Sequence, residues 1–183
     1  MVELVHQLVD KSMVVAERVA STTRYGLLET IRQFAEEQLE SHGEVTRLRD
    51  SHARHYAGAA VELGLLARSA RQVEGSRALA AEWDNLRAAH LWSLAQDDLE
   101  SAESIVRSTF RDAETHMRAE HRSWTERTVE LGESLGRPST EMMGYHAFWF
   151  SVDGFEEASF EWGRRGIAAA PDPDHPSPPC AGR

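Results

Sequence analysis

Apolar residues recur along this chain mostly in steps of three and four, and this spacing predicts a mainly helical protein. The opening segment, residues 1–10, has the apolar face of one short helix. Between residues 13 and 28 the period changes, because two short β-prone runs flank a polar stretch. That pattern predicts a β-hairpin, so the chain is expected to begin with a helix and a hairpin, as in part of a winged helix.

Helical spacing returns at residue 29 and continues to about residue 169 with short breaks. One break is predicted at Gly75, with Ser76 as the N-cap of the following helix. Another is predicted around Asp97, which would cap the next helix together with a glutamate three residues later. The helices are therefore expected in antiparallel pairs, and a faint repeat of roughly 35–40 residues is close to the ~34 residues of a tetratricopeptide unit.

The pattern divides the chain into three parts. Residues 1–43 are predicted to form a partial winged-helix segment of helix, β-hairpin and helix. Residues 44–170 are predicted to form a tetratricopeptide-like array of antiparallel helix pairs. Residues 171–183 hold five of the six prolines, which predicts an irregular tail. The expected fold class is therefore mainly α.

Composition narrows the classes of protein to which the chain can belong. Hydrophobic residues make up 41% of the 183 residues and charged residues 27%, which is typical of a globular protein. No apolar run approaches the ~18 residues of a membrane span, and no signal-peptide pattern opens the chain. The single cysteine, Cys180, excludes an intrachain disulfide. We therefore expect a cytoplasmic protein without a membrane partner.

The sequence does not contain a familiar catalytic arrangement. The only lysine, Lys11, does not follow a glycine-rich turn, so the chain lacks a phosphate-binding loop. His52 and His55 lie three residues apart on a predicted helix and could share a metal, but neighbouring arginines would repel a cation. We predict no catalytic residue, no cofactor and no metal site; a metal- or ligand-dependent enzyme that uses the histidines stays open as a third hypothesis.

Aromatic and basic side chains near the end of the predicted array suggest an interaction surface. The candidate residues for a concave groove are Tyr145, Trp149, Trp162, Arg164 and Arg165. Helical arrays often use such a surface for binding. The alternative interpretation is that the aromatic residues belong to the core.

Charge disfavours direct binding to nucleic acid. The chain carries a formal net charge of −10. Residues 1–28 contain three basic and three acidic residues, and the first helix offers only His6 and Gln7 as polar side chains suited to reading DNA. Nucleic-acid binding is therefore not the expected activity.

Three motifs resemble segments of the large bacterial signal-transduction ATPases of the STAND class. The first is residues 8–14, LVDKSMV, similar to LVDKSLV after the nucleotide-binding region of that family. The second is residues 24–35, RYGLLETIRQFA, similar to RYRLLETIRQYA, with Gly26 where the family usually has arginine. The third is residues 82–89, EWDNLRAA, similar to an E-x-DNLRAA helix. Their order and spacing also match, and the resemblance covers residues 1–170.

The resemblance implies a particular domain order. Such proteins have an NB-ARC-type ATPase core, a winged-helix domain and a tetratricopeptide-like array, and many add a LuxR-type or SARP-type DNA-binding domain or a cyclase domain. Their winged helix is expected to act as an internal lever against the nucleotide domain. This chain would then be the last half of the winged helix and the start of the array, a fragment that lacks the ATPase core.

The function that this resemblance implies is regulatory. The chain would be a non-enzymatic regulatory and protein-interaction module, the sensing and transmitting part of a STAND ATPase-type transcriptional regulator. Its expected partners are a protein or small-molecule inducer on the array and the ATPase domain of a parent or related protein. The alternative is a DNA-binding winged-helix transcription factor.

Overall fold

The structure is a computed structural model that describes residues 2–19 and 22–170. The chain divides into two compact units, Met1–Leu48 and Arg49–Arg183. The irregular tail predicted at 171–183 lies outside the described residues.

The first unit contains a helix, a hairpin and a second helix, as predicted. Its elements are α1 (Val2–Asp10), β1 (Val14–Val19), β2 (Thr22–Leu27) and α2 (Glu29–Ser41). The two strands are antiparallel, and the register pairs Val14 with Leu27 and Val19 with Thr22. The polar stretch that was expected to be the turn, residues 17–23, therefore contributes half of β1 and the first two residues of β2. One valine and two threonines in that stretch favour the extended backbone, which explains the longer strands.

Helices are the only regular secondary structure among the described residues of the second unit. Its helices are α3 (Val45–Ala67), which begins just before the unit does, α4 (Gln72–Ala95), α5 (Leu99–Thr115), α6 (Glu120–Ser134), α7 (Thr140–Val152) and α8 (Glu156–Ala169). Successive helices from α4 to α8 pack against each other, and α4 also contacts α6 while α5 contacts α7. This confirms a mainly α fold of paired helices that follows a hairpin. No described helix is both long and apolar enough to cross a membrane.

The predicted break at Gly75 is wrong, because α4 begins at Gln72 and continues through this glycine. The chain instead turns at Ser69, whose hydroxyl oxygen accepts a hydrogen bond from the Arg71 backbone N–H at 3.0 Å. Gly75 is needed for packing: a Cβ atom there would lie 2.3 Å from the backbone nitrogen of Ala67. Glycine at this position therefore marks the close approach of α4 to the end of α3.

The predicted N-cap at Asp97 is wrong by one residue. Asp97 has a positive φ of 55° and belongs to the turn. The carboxylate of Asp98 caps α5 by accepting a hydrogen bond from the Ser101 backbone N–H at 3.1 Å. Either of the two adjacent aspartates has a side chain suited to capping a helix, and the backbone conformation of the turn selects Asp98.

Stacked aromatic rings fill the core of the second unit. Trp83 of α4 and Trp124 of α6 stack with their ring centroids 4.9 Å apart. The ring of His90 also stacks on Trp124, with a centroid distance of 5.3 Å. The buried apolar residues packed around them include Leu79, Leu86, Ile105, Val106, Val129, Met142 and Met143. The core therefore joins α4, α5, α6 and α7, as their apolar stripes predict.

Candidate functional site

The aromatic residues of the predicted groove do not all face solvent. Trp149 is 3% exposed, and its ring lies edge-on to Phe110 and Phe148 in the core. Tyr145 is half-buried and stacks on Phe110 with centroids 3.9 Å apart. Its hydroxyl donates a hydrogen bond to Glu141 at 2.7 Å. The structure therefore assigns Trp149 to the core, and Tyr145 lies at the core's edge.

The other three candidate residues lie on α8. The guanidinium of Arg165 lies 3.9 Å from the ring centroid of Trp162 and also forms an ion pair with Glu133 of α6. Trp162 is half-buried and meets the ring of His146 edge-on. Arg164 is exposed. These contacts place part of the predicted surface on the α8 side of the array, where Arg165 links α8 to α6.

The DNLRAA motif that carries the resemblance binds neighbouring helices together. Tyr56 of α3 donates a hydrogen bond to Glu82 at 3.2 Å. Arg87 donates to both carboxylate oxygens of Glu120, at 2.7 and 2.9 Å, and so ties α4 to α6. The hydrogen bonds from Arg87 are the main reason why the pKa of Glu120 lies below its ordinary value. The charged residues of the motif therefore have a structural role.

Three histidines are buried in the array. His90 hydrogen-bonds with the Thr128 hydroxyl at 2.9 Å, and His121 with the Thr109 hydroxyl at 3.1 Å. Burial lowers the pKa of His90 to about 3 and that of His121 to about 4, and it also lowers the pKa of His146. In the sequence both residues recur in step with apolar ones, but only the structure shows that their side chains are enclosed. Among the described residues, no cluster of three or more potential metal ligands is present.

A cleft of about 570 Å³ opens between the end of α3, the start of α4 and the end of α5. Its lining residues are Ala67, Gln72, Val73, Ser76, Arg77, Ala80, Arg111, Asp112, Thr115, His116 and Arg118. Three arginines and a single carboxylate make this lining basic, in a chain with a formal net charge of −10. The sequence pattern does not reveal this site, because Arg77 is more than thirty residues from Arg111 and Arg118.

A buried carboxylate organises one wall of this cleft. Asp112 is 4% exposed, and its Oδ2 atom accepts a hydrogen bond from Arg118 at 3.3 Å. The guanidinium of Arg118 lies 4.2 Å from the ring centroid of Trp83. His116 Nδ1 lies 3.2 Å from Asp112 Oδ1, an ion pair only when the imidazole is protonated. Asp112 and Trp83 together hold the Arg118 guanidinium in a fixed position.

The first unit exposes an unusual amount of apolar surface. Val14 is the only apolar residue that is buried among those described there. The large apolar side chains exposed in this unit are Leu4, Leu8, Met13, Val15, Tyr25, Leu27, Leu28, Phe34 and Leu48. Leu4 is 62% exposed and Phe34 is 59% exposed. Apolar surface on several elements of one small unit is typical of a surface that another protein domain covers.

The same unit carries more negative than positive charge. Residues 1–48 contain five lysines or arginines and eight aspartates or glutamates. Two of the arginines are already paired, since Arg32 binds Glu29 and Glu36, and Arg47 binds Glu44. This charge distribution does not favour contact with a phosphate backbone.

Comparison with known proteins identifies three mycobacterial relatives. The chain is 42% identical over 104 residues to a protein of Mycobacterium bovis and to proteins of two strains of Mycobacterium tuberculosis. By their names, these relatives are predicted HTH-type transcriptional regulators. No protein-family model matches the chain, and no solved structure matches it.

The match covers a small part of the relatives. It spans 55% of this chain but 11% of each regulator's length. The names of the relatives agree with the predicted link to transcription regulation. They fit the alternative of a DNA-binding winged helix better than the more specific hypothesis of an ATPase fragment. The chain is therefore similar to one segment of much longer transcriptional regulators, and this similarity supports a regulatory role.

Proposed function

We propose that this chain is a non-enzymatic regulatory module of a STAND-type transcriptional regulator, in which the helical array receives a signal and the N-terminal unit passes it to another domain. The observation that carries the proposal is the exposed apolar surface of the first unit, which includes Leu4 and Phe34. The occupant of this surface would be another domain of the same regulator. The match to only 11% of the relatives' length supports that choice, because most of such a regulator lies outside the matched segment.

The array would supply the signal-receiving part of the module. Its helices bury a continuous core, so it can present a stable binding surface while the first unit moves or repacks. A protein or small-molecule inducer would bind the array and favour one of two arrangements of the regulator. The domain that covers the first unit would be the ATPase domain that the three sequence motifs imply.

A DNA-binding winged helix is the second candidate, and the HTH-type names of the relatives favour it. The first unit does contain the helix and hairpin that a winged helix uses. Against it stands the excess of acidic over basic residues in residues 1–48. We therefore place DNA binding elsewhere in such a regulator.

A mobility-shift experiment separates the two candidates. The purified chain is titrated into fragmented genomic DNA at about 50 mM and about 200 mM salt, a range over which phosphate contacts lose most of their affinity. Our proposal predicts that the DNA migrates unchanged at both concentrations.

The second candidate predicts a retarded complex that weakens as salt rises. In that case Arg18→Glu, on β1, should abolish the complex, and Arg164→Glu, on α8, should leave it intact. A retarded complex with this pattern would replace our proposal with the DNA-binding function.

A further inference from the structure

The basic cleft between α3, α4 and α5 has the features of a small-molecule site. Its volume of about 570 Å³ lies within the ~300–1,000 Å³ of typical ligand pockets. Ala67, Val73 and Ala80 line it with apolar surface, while Arg77, on α4, contributes charge next to them. An apolar wall beside cationic groups suits a ligand with a small apolar body and an anionic end.

The arginines of the cleft differ in how firmly they are held. Arg118 is fixed by Asp112 and by Trp83, so its position is set before a ligand arrives. Arg111 pairs with Glu114 at 3.2 Å, but its side chain is 69% exposed, and such a surface pair is easily exchanged for another anion. Among the described residues, no carboxylate forms an ion pair with Arg77. The cleft therefore combines a fixed guanidinium with two that are free to close on an anion.

We propose that this cleft binds a small organic oxyanion, a carboxylate or phosphate monoester attached to a short apolar or aromatic body. Arg77, Arg111 and Arg118 would contact the anionic group, since a guanidinium offers paired N–H donors to two oxygens of a carboxylate or phosphate. Asp112 acts as a positioning residue through Arg118. The role of this ligand as the inducer rests on the proposed function. Its binding to the cleft can be measured separately.

Four probes distinguish the chemistry of the ligand. Benzoate and phenyl phosphate carry the two kinds of oxyanion on the same ring, benzamide removes the charge, and inorganic phosphate removes the ring. Isothermal titration calorimetry of the full chain should show binding of benzoate, of phenyl phosphate or of both, with benzamide and inorganic phosphate at least about 10-fold weaker. Equal binding of benzamide and benzoate, or no binding of any probe at millimolar concentration, would overturn the proposal.

Substitutions on α4 locate the site. Arg77→Gln should weaken binding of the better probe about 10-fold or more, because one charge-assisted hydrogen bond is lost. Ala80→Glu should have a similar effect, since it places a negative charge inside the cleft. Its matched control is Ala81→Glu, an exposed neighbour on the same helix that does not line the cleft. Equal weakening by the two glutamates, or none by either, would also contradict the site.

The experiment separates this inference from the proposed function. Each variant is first checked by circular dichroism and thermal unfolding, and Arg77→Gln is expected to keep the wild-type transition because its guanidinium forms no ion pair among the described residues. If the probes bind and the chain also retards DNA, the cleft stands and the proposed function fails. If the probes do not bind and DNA is not retarded, the cleft fails while the proposed function stands.

Discussion

Replacing Gly64 with alanine is expected to lower the unfolding free energy of the helical array by about 3 kcal/mol or more. The reason is a backbone contact between α3 and α5. A Cβ atom at Gly64 would lie 2.3 Å from the carbonyl oxygen of Ser108 and 3.1 Å from its carbonyl carbon. Because both obstacles are main-chain atoms of a buried helix, no change of rotamer can relieve the clash, and the two helices must move apart.

Gly58 provides a matched control on the same helix. A Cβ atom at Gly58 would meet nothing within 4 Å apart from the adjoining backbone of its own helix. Gly58→Ala should therefore leave the array unchanged or stabilise it by up to about 1 kcal/mol, the difference in helix propensity. Urea unfolding followed by circular dichroism measures both variants. Similar free energies for the two alanine variants would show that α3 and α5 do not approach closely at Gly64.

The second large effect is unfolding of the array in weak acid. Burial is the main reason why the pKa of His90 falls to about 3 and that of His121 to about 4. In the unfolded chain these histidines have ordinary pKa values of about 6.5, so the unfolded state binds more protons below that pH. The stability that the two neutral histidines contribute is therefore present above pH 6.5 and is lost as the pH falls toward 4.

The expected size of this loss is large. Each histidine contributes up to about 1.4 kcal/mol per pH unit, so two give a slope of up to about 3 kcal/mol per unit. A fall of two pH units would then remove much of the unfolding free energy of ~5–15 kcal/mol that a typical domain has. Urea midpoints measured between pH 7 and pH 4.5 give the slope.

Two variants test whether the buried histidines cause the acid sensitivity. His90→Gln removes one titrating group and should reduce the slope by up to about half, even if it also lowers stability at pH 7. His55→Gln changes an exposed histidine on α3 and should leave the slope unchanged. An unchanged slope in His90→Gln would assign the acid sensitivity to other groups.

Periodicity predicted most of the helical elements, because one face of each helix enters the core. The stripe of α4, for example, includes Leu79, Trp83, Leu86 and His90, and all four are buried. The hairpin was also predicted, although its strands are longer than expected. These features depend on residues close together in the sequence, which is why a single sequence is enough to predict them.

The errors and omissions have a common physical origin. A glycine can end a helix or permit a close approach, and only the position of Ala67 in space shows that Gly75 does the second. Trp149 could line a groove or a core, and its contact with Phe110 of α5 decides for the core. The basic cleft depends on Arg77 and Arg118 meeting across helices. In each case the deciding contact joins residues of different segments of the fold, which periodicity within one helix does not show.

The central claim is that the first unit needs another domain to cover it. Hydrogen exchange tests this claim most directly, because it measures the local stability of each element. In the isolated monomeric chain, backbone amides of α1, β1, β2 and α2 should exchange orders of magnitude faster than those of the buried segments of α4, α5 and α6, because local opening of the first unit exposes little additional apolar surface. Exchange in the first unit as slow as in the array core would mean that the unit is stable without a partner, and would contradict the account.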